Sequence, residues 1–511
     1  MDDFLGSHWL AERYQITTCQ PLQVISLIDS RRQDVEINGV INQAFPPAYR
    51  IEPTLDAHLT FAFKREPLHL EFLARLFQVV VTTDLINWIT AEPTSQYARK
   101  ACFFYEWLTG QLLDHPGLNR GNYVDAIDAD RYLTCTEPTR DTRWRILDNL
   151  PGTPDFCPMV RLTPTLKALI DYDPGAALEQ LGVEYGEDTL IRSAVWLTVK
   201  ESKSSFAIEH EQQQVDRIQR FAAVMELRCG TGKPPLDPQQ LTDLQSAILG
   251  PKALSYGMRS SPVFVGQTVG FQNLVNYLAP HWEQATQMLH GLQQLEERTV
   301  GRNSILRATC LSFGFVYIHP LGDGNGRVSR FLINDTLRRD KVIPAPYILP
   351  VSATMQNARF LPQNYDQILD EFSRPLMNNI RPELHFDQRE VYADGVESNL
   401  RFDGFDTVAS AWRYIDMTRH AEYMARVIRH TIEVEMRTEA LVLRDHLRAR
   451  EAIKEILDGP DQDIDRIIRS IHQSKGVVSG KLRKQYPQLL DETLSGEIVE
   501  VVREHLSWSQ E

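Results

Sequence analysis

The chain has 511 residues, of which 42% are hydrophobic and 24% are charged, and its formal net charge is −14. This length predicts two to four domains with ample buried core. The composition is typical of a folded, water-soluble protein. A net negative charge of this size argues against general coating of nucleic acid and against attachment to anionic membranes, although it leaves room for a local basic patch.

The cysteines and the first residues indicate the compartment. Six cysteines are scattered along the chain without a C-x-x-C pair or a zinc spacing, so we predict buried thiols in a reducing environment. The start, Met1-Asp2-Asp3-Phe4, lacks the basic and then apolar order of a signal peptide. No uninterrupted apolar run approaches the roughly 18 residues of a membrane span. We therefore expect a cytoplasmic protein without membrane contact.

Residues 1–185 predict a mostly helical region with long connections, to which no function can be assigned. Apolar residues recur at helical spacing in residues 68–81 and 97–113, whereas residues 134–160 are rich in Pro, Asp, Thr and Gly and predict a loop. A group of aromatic residues could form a binding surface or part of the core, and their spacing favours the core. They are Phe103, Phe104, Tyr105 and Trp107.

The next segment predicts two helices and then a hairpin. Residues 191–201 have helical spacing and a second helix begins near Val215, with Ser204-Ser205-Phe206-Ala207-Ile208-Glu209 between them. Residues 259–268 contain a short alternating run of β-branched and aromatic residues after a proline and before a glycine, which predicts a hairpin strand. An exposed strand edge can hold an extended peptide by main-chain hydrogen bonds.

Residues 319–330 carry the chemistry of the chain. Apolar stretches at residues 305–318 and 331–337 predict two helices with a loop between them. The three glycines of that loop allow a sharp turn, and a helix that begins near Arg327 would direct unpaired N–H groups and its positive dipole end at an anion such as phosphate. The loop reads His319-Pro320-Leu321-Gly322-Asp323-Gly324-Asn325-Gly326-Arg327-Val328-Ser329-Arg330.

Four side chains of this loop fit one reaction. Arg327 and Arg330 are three residues apart and would share a helix face, where they can clamp more than one phosphate oxygen. Asp323 is a hard oxygen ligand that suits the Mg²⁺ accompanying nucleotide phosphates. His319 can take a proton from an incoming hydroxyl near neutral pH, a role that typically contributes about 10²–10⁴-fold to a rate.

The loop resembles the signature of the Fic family, H-P-F-x-D/E-G-N-G-R-x-x-R. It departs from the signature only at Leu321, where the family usually has Phe, and we expect Leu321 to keep the loop anchored in the core at some loss of packing. The resemblance implies a mainly α-helical fold with a Fic-type helical core and a short β-hairpin flap, flanked by helical N- and C-terminal regions. It also implies transfer of AMP from Mg-ATP to a Ser, Thr or Tyr hydroxyl of a protein.

The resemblance implies a role for each loop residue. His319 would be the general base and Asp323 the Mg²⁺ ligand. Arg327 would contact the β-phosphate and Arg330 the γ-phosphate. Gly324, Asn325 and Gly326 would form the anion hole, and Gly322 and Asp323 would also belong to the nucleotide-binding site.

An upstream segment resembles the family's inhibitory motif, S/T-x-x-x-E-G/N, through Ser205 and Glu209, with His210 in place of the usual Gly or Asn. The resemblance implies that Glu209 pairs with Arg330 where the γ-phosphate must bind, which would hold the enzyme inactive. The alternative is an ordinary solvated glutamate on a helix.

The hairpin corresponds to the family's flap, which implies that Val265, Gly266, Gln267 and Thr268 contact the target protein or the nucleotide. An ordinary surface hairpin is the alternative. Downstream, this chain has Asn364-Tyr365 where many relatives have Tyr-Tyr, so we expect Tyr365 to pack rather than to stack on a base. The resemblance covers roughly residues 190–385. We therefore divide the chain into residues 1–185, 186–385 and 386–511.

The C-terminal region predicts one long helix at residues 409–457 and then, from about residue 460, a small unit similar to a helix-turn-helix or winged helix. Its basic residues could contact DNA, or the unit could be a packing or dimerisation module with a solvated charged face. These residues are Lys475, Lys481, Arg483 and Lys484.

Three functions stay open beside adenylyl transfer. The same loop could transfer another nucleotide, or could work in reverse, with Glu209 helping a water molecule to remove AMP from a modified protein. A third reading is a nucleotide-sensing or DNA-binding regulator with a weakly active Fic site. The expected partners are ATP, a target protein that presents a hydroxyl at the flap, the protein itself through self-modification, and DNA at the C-terminal region.

Overall fold

Helices form most of the chain, which confirms the mainly α prediction with a helical core. The protein is described from a computed structural model, which covers residues 3–37, 40–209, 211, 213, 215–251, 257–269, 272–357 and 361–506. Within these residues no single helix is long and apolar enough to cross a membrane, and the helices Leu70–Val79 and Thr82–Ala91 reach the required length and hydropathy only as a pair bent by 104°. All six cysteines are buried free thiols, as predicted.

The N-terminal region begins with a sheet that the sequence analysis missed. Its strands pair in the order β1-β2-β4-β3, with β2 and β4 parallel and the other pairs antiparallel. In β2, buried and half-buried residues alternate, but a strand of five residues is too short for this signal to stand out in the sequence. The elements are β1 (Phe4–Leu5), α1 (Gly6–Tyr14), β2 (Val24–Ile28), β3 (Gln33–Ile37) and β4 (Val40–Phe45).

Four helices and a second small sheet complete this region. Phe103, Phe104 and Tyr105 are buried and Trp107 packs against the same apolar cluster, so the prediction of core rather than binding surface is confirmed. The predicted loop at residues 134–160 contains two strands of a three-stranded sheet, so that part of the prediction was wrong. The elements are α2 (Leu55–Arg65), α3 (Leu70–Val79), α4 (Thr82–Ala91), α5 (Gln96–Thr109), β5 (Val124–Asp125), β6 (Thr139–Asp141) and β7 (Ile146–Asp148).

A long helix, α8, leads into the central part of the molecule. It has 22 residues and continues to Ile208, so residues 204–208 form its last turns rather than a link between two helices as predicted. The ammonium of Lys200 on α8 contacts Glu435 and Glu439 at 2.8 Å, which ties the helix to the C-terminal region. The elements are α6 (Pro164–Ile170), α7 (Pro174–Tyr185), α8 (Glu187–Ile208), α9 (Val215–Arg228) and α10 (Pro238–Leu249).

The predicted hairpin and helix pair are present in the central part. Strands β8 and β9 form an antiparallel hairpin, and α12 and α13 flank residues 319–324. Helix α13 begins at Asn325, two residues before the predicted start. The elements are β8 (Phe264–Val269), β9 (Gln272–Leu278), α11 (Trp282–Arg298), α12 (Ser304–Ile318), α13 (Asn325–Arg339), α14 (Val351–Gln356) and α15 (Tyr365–Ile380).

The predicted long helix at residues 409–457 is interrupted. The backbone near Asp416 pairs in parallel with Met159, whose N–H donates to the carbonyl of Ile415 while Met417 donates to the carbonyl of Met159. This tertiary pairing breaks the helix and could not be predicted from local spacing. The elements are β10 (His385–Val391), β11 (Glu397–Arg401), α16 (Phe405–Arg413), α17 (Thr418–His430), a π-helical segment (Thr431–Met436) and α18 (Arg437–Lys454).

The chain ends in a small helical unit with its own apolar cluster, centred on Ile467, Ile468 and Ile471. Residues 457–506 contain no strand, so this part lacks the hairpin of a winged helix. The basic residues predicted to contact DNA lie on or beside a helix of only six residues, α20. The elements are α19 (Asp461–Gln473), α20 (Gly480–Gln485) and α21 (Glu492–His505).

We expect Ile468→Ala to destabilise this unit by about 2–5 kcal/mol, because it removes three carbons from a fully buried side chain and leaves a cavity. Native-state hydrogen exchange of α19 and α21 in the full chain measures the change. The control is Val477→Ala, whose side chain is exposed and whose effect should stay within about 0.5 kcal/mol. Equal effects of the two variants would contradict a separate core in this unit.

Candidate active site

The loop at residues 319–324 is fixed at both ends by backbone geometry. His319 ends α12 in the left-handed region, with φ at 51°, and its N–H donates to the carbonyl of Phe315 at 2.9 Å. Gly324, with φ at 84°, precedes α13, where a residue with a Cβ would be strained. The Leu321 side chain is fully buried, as expected of the residue that replaces the family's Phe.

Asn325 holds the loop closed from inside. Its side-chain amide donates to the carbonyl of Leu321 at 2.8 Å, and its carbonyl oxygen accepts from the N–H of Leu321 at 2.9 Å. Asn325, which was predicted to belong to an anion hole, therefore also fixes the loop through its side chain. As first-turn residues of α13, Asn325 and Gly326 have backbone N–H groups without a carbonyl partner inside the helix, which suits anion binding.

A buried arginine that the sequence analysis missed supports the loop from the other side. The Arg259 guanidinium donates to the carbonyls of His319 (2.7 Å), Ser261 (3.0 Å) and Pro280 (2.5 Å), and the residue is only 3% exposed. Its backbone N–H also donates to the carbonyl of Pro320 at 3.0 Å. The segment between α10 and the flap, which contains Arg259, therefore fixes the position of His319.

Gln245 on α10 makes a second link of this kind. Its amide donates to the carbonyl of Asp323 at 2.8 Å and accepts from the N–H of Gly257 at 2.7 Å. The N–H of Gly322, predicted to face a nucleotide, lies 3.3 Å from the carbonyl of Gly257. Nothing local in the sequence marks a buried glutamine as part of a site, because its partners are distant main-chain atoms.

His319 is arranged to accept a proton. Its Nδ1 lies 3.2 Å from the carbonyl of Val316, and since a carbonyl can only accept, Nδ1 carries the hydrogen and Nε2 keeps its lone pair. Burial, and then the positive charge of Arg259, lower the pKa of His319 to about 4. The imidazole is therefore neutral at pH 7, the state that a general base requires.

Arg330 is held by the end of α8. The residue is 1% exposed. Its Nε donates to the hydroxyl of Ser205 at 2.7 Å and its Nη2 to a carboxylate oxygen of Glu209, also at 2.7 Å. Ser205 and Glu209, the predicted inhibitory residues, therefore both accept hydrogen bonds from Arg330, as predicted for Glu209. The carboxylate of Glu209 uses one oxygen in this contact rather than two. Residue 210, where His replaces the family's usual Gly or Asn, lies outside the described residues.

The Glu209 carboxylate approaches the first turn of α13 very closely. Its Oε1 lies 1.9 Å from the point that a Cβ at position 326 would occupy, so a larger residue there would force the carboxylate to shift. Burial opposes ionisation of Glu209, but Arg330 and Arg327 outweigh burial and lower its pKa. The carboxylate is thus charged at neutral pH and acts as a counter-ion to the buried arginines.

Arg327 is also held by carboxylates, and its contact with Glu211 was not predicted. The residue is 1% exposed, and its Nη1 donates to Glu211 while its Nη2 donates to Asp323 at 2.9 Å. The guanidinium lies 5.0 Å from the ring centre of Phe206. Each of the two arginines therefore contacts a carboxylate that comes shortly after α8 in the sequence. Arg330 contacts Glu209, and Arg327 contacts Glu211.

The carboxylate of Asp323 is suited to a metal ion that a substrate also binds. The described residues contain no group of three or more His, Cys, Asp or Glu side chains that could hold a metal ion, so a site made wholly of protein ligands is not built here. Mg²⁺ is typically bound by one or two carboxylates together with substrate phosphates and water. Asp323 is partly exposed and suits this role.

The flap borders a cavity of about 350 Å³ that reaches His319. Its walls include Val265 and Tyr277 from the flap, with Asp366 and Asp370 from α15. Gly266 allows a bulge at which a Cβ would lie 2.2 Å from the carbonyl oxygen of Leu274.

Two further flap residues and one tyrosine were part of the predictions. The backbone of Gln267 and Thr268 lies in β8, but their side chains lie outside the described residues. The ring of Tyr365 packs 6.2 Å from that of Phe313, centre to centre, as expected of a packing residue.

Comparison with known proteins identifies the central part of the chain. Residues 235–337, which include the flap and the loop, match the family model described as Fic/DOC family. The chain carries a Fic/DOC domain. A Fic/DOC domain supports nucleotidyl transfer as the general type of activity. The match begins after Glu209 and therefore says nothing about inhibition.

Among the solved structures that are similar to the chain are two Fic proteins. A Fic family protein from Desulfovibrio desulfuricans G20 has 17% identity and a TM-score of 0.38, over 66% of this chain and 92% of the other. A Fic domain containing signaling protein from Bacteroides thetaiotaomicron VPI-5482 has 16% identity and a TM-score of 0.28, over 54% and 94%. The curated proteins gave no match. At these scores the assignment of the Fic/DOC domain depends on the sequence match.

We expect Arg259→Lys to destabilise the loop by about 2–4 kcal/mol, because an ammonium cannot reach three separate carbonyls in the way a guanidinium does and leaves buried acceptors unpaired. Hydrogen exchange of α12 and α13 measures the loss. The same substitution at the exposed Arg374 on α15 is the control and should change exchange little. Unchanged exchange in Arg259→Lys would show that this clamp is dispensable.

Proposed function

We propose that the protein is an adenylyltransferase that moves AMP from Mg-ATP to a Ser, Thr or Tyr hydroxyl of a protein, and that Glu209 holds it inactive. The observation that carries the proposal is the contact of Arg330 with Glu209. A guanidinium that is 1% exposed beside the N-terminus of α13 forms an anion site, and an anionic side chain of the same protein fills it.

The proposed reaction begins with proton transfer to His319. The acceptor hydroxyl gives its proton to Nε2, and the hydroxyl oxygen bonds to the α-phosphorus while the bond from that phosphorus to the β-phosphate oxygen breaks. Arg327 stabilises the charge on the leaving pyrophosphate. Mg²⁺, held by Asp323, would neutralise phosphate charge when bound.

The charges around the site support one orientation of the nucleotide. The arginines and the first turn of α13 attract phosphate, whereas Asp366 and Asp370 make the cavity beside His319 unfavourable for a polyphosphate. We therefore assign the cavity to the uncharged nucleoside and the flap edge to the target peptide. His319 lies at the boundary between them, where the α-phosphate would be.

Inhibition in this proposal is competition for Arg330. The carboxylate of Glu209 occupies the guanidinium that the γ-phosphate needs. Since the pKa of Glu209 is lowered, protonation would release the contact only in acid, so a partner or a conformational change has to release it at neutral pH.

We expect Glu209→Gly to raise transfer of label from α-labelled ATP to protein by about tenfold or more, because it frees Arg330 for the γ-phosphate. His319→Ala in the same background should remove the labelling, and γ-labelled ATP should give none. Scintillation counting of the purified protein and of a lysate measures the transfer. Glu226→Gly, at an exposed position on α9, is the matched control and should behave as wild type.

The labelling result would also separate this proposal from its alternatives. No α-label in any variant, with Mg²⁺ and with other nucleoside triphosphates supplied, would contradict the transferase. Release of AMP from a previously modified protein by wild type, lost in Glu209→Gly, would favour the reverse reaction.

The acid limb of the transfer rate should reflect the lowered pKa of His319. Acid protonates the imidazole and removes the base, and since burial places this pKa at about 4, the rate of Glu209→Gly should stay nearly constant from pH 7.5 to about pH 5.5. Initial rates at Mg-ATP concentrations well below KM, which report the free enzyme, test this. An inflection near 6.5, the ordinary value for histidine, would contradict it.

A further inference from the structure

Glu211 lies between two arginines from different helices. Its Oε2 accepts from Nη1 of Arg327 and lies 3.5 Å from Nη1 of Arg217 on α9. The side chain of Arg327 is 1% exposed and that of Arg217 is 18% exposed. One carboxylate oxygen of Glu211 therefore contacts two guanidinium groups, while the other amino group of Arg327 donates to Asp323 at 2.9 Å.

This arrangement is fixed by the surrounding backbone. The N–H of Glu211 donates to the carbonyl of Phe206 at 2.9 Å, so its side chain is positioned by the end of α8. Arg327 is oriented by Asp323 and by the ring of Phe206. Arg217 lies in the first turn of α9, a helix that packs against α8 and α10. The guanidinium of Arg327 is therefore oriented by groups other than Glu211, and the packing of α9 places the backbone of Arg217 beside it.

We propose that Arg217 and Arg327 form a phosphate-binding subsite, that Glu211 fills it in the resting protein, and that a nucleotide phosphate fills it once Glu211 is displaced. The inference rests on the proposed function and adds to it a nucleotide-binding residue, Arg217. The terminal β-phosphate of ADP, which has two charges and three free oxygens, matches two guanidiniums better than a carboxylate does.

The subsite gives Glu211 a different effect from Glu209. Glu209 occupies Arg330, the proposed partner of the γ-phosphate, and so opposes ATP in its reactive position. Glu211 occupies Arg327, the proposed partner of the β-phosphate, and so opposes any nucleotide with two or more phosphates. ADP, which lacks the γ-phosphate, therefore reports on the Glu211 subsite without the Glu209 contact.

The test is the affinity of Mg-ADP for the full-length protein, measured by calorimetry. Glu211→Gln should tighten binding about tenfold, because it removes the competing charge from the subsite. Arg217→Met is then added to Glu211→Gln, since in wild type the same change would weaken both Glu211 and phosphate. The double variant should bind Mg-ADP about tenfold more weakly than Glu211→Gln, the effect of losing one charge-assisted contact.

Matched controls exclude general effects of charge. Arg228→Met, at the exposed end of α9, is added to Glu211→Gln and should leave Mg-ADP affinity unchanged. Glu226→Gln should behave as wild type. Adenosine, which has no phosphate, should bind Glu211→Gln equally well with and without Arg217→Met. Melting curves by circular dichroism confirm that each variant is folded.

The outcomes separate the inference from the proposed function. Mg-ADP binding that is unaffected by Arg217→Met overturns the subsite and leaves the adenylyltransferase proposal standing. A loss of adenosine and Mg-ADP affinity together would assign Arg217 to general packing and also overturn the subsite. Failure of every folded variant to bind Mg-ADP or Mg-ATP would overturn the proposed function along with it.

Discussion

Two arginines with almost no solvent contact set the conditions for the whole site. Arg327 and Arg330 are each 1% exposed, and a buried charge without a partner is strongly destabilising. The resting protein meets this requirement with carboxylates: Glu209 on Arg330, and Glu211 and Asp323 on Arg327. In the proposed function, a nucleotide that enters the site has to replace those counter-charges, so its binding and the release of the α8 end would be one equilibrium.

The rest of the fold keeps the loop rigid while its counter-ions remain exchangeable. Arg259, Gln245 and Asn325 bond to main-chain atoms of the loop, and none of these contacts involves a group that a nucleotide would displace. By contrast, within the part of the chain that the structure describes, the carboxylates of Glu209 and Glu211 contact the site only through the side chains of Arg330 and Arg327. The contacts that fix the loop are thus separate from the carboxylates that a ligand would displace in the proposed function.

Local patterns in the sequence predicted the features that depend on local chemistry. The loop with His319 and the flap hairpin were found because their residue types and spacing are needed within a few positions. Arg259 and Glu211 were missed because their roles depend on partners 60 and 116 residues away. The break near Asp416 was missed for the same reason, since its partner, Met159, belongs to the N-terminal region. The N-terminal sheet consists of strands too short for periodicity to reveal.

The close contact at Gly326 limits which amino acids this position can accept. A methyl group at that position would occupy the place of the Glu209 carboxylate oxygen, and the same space faces Arg330 and the first turn of α13. An alanine there would shift the carboxylate of Glu209 and narrow the space for an external anion beside Arg330. If Glu209 restrains the enzyme as proposed, a larger residue 326 would disturb the internal carboxylate and the ligand site together, whereas a change at Glu209 would disturb only the carboxylate.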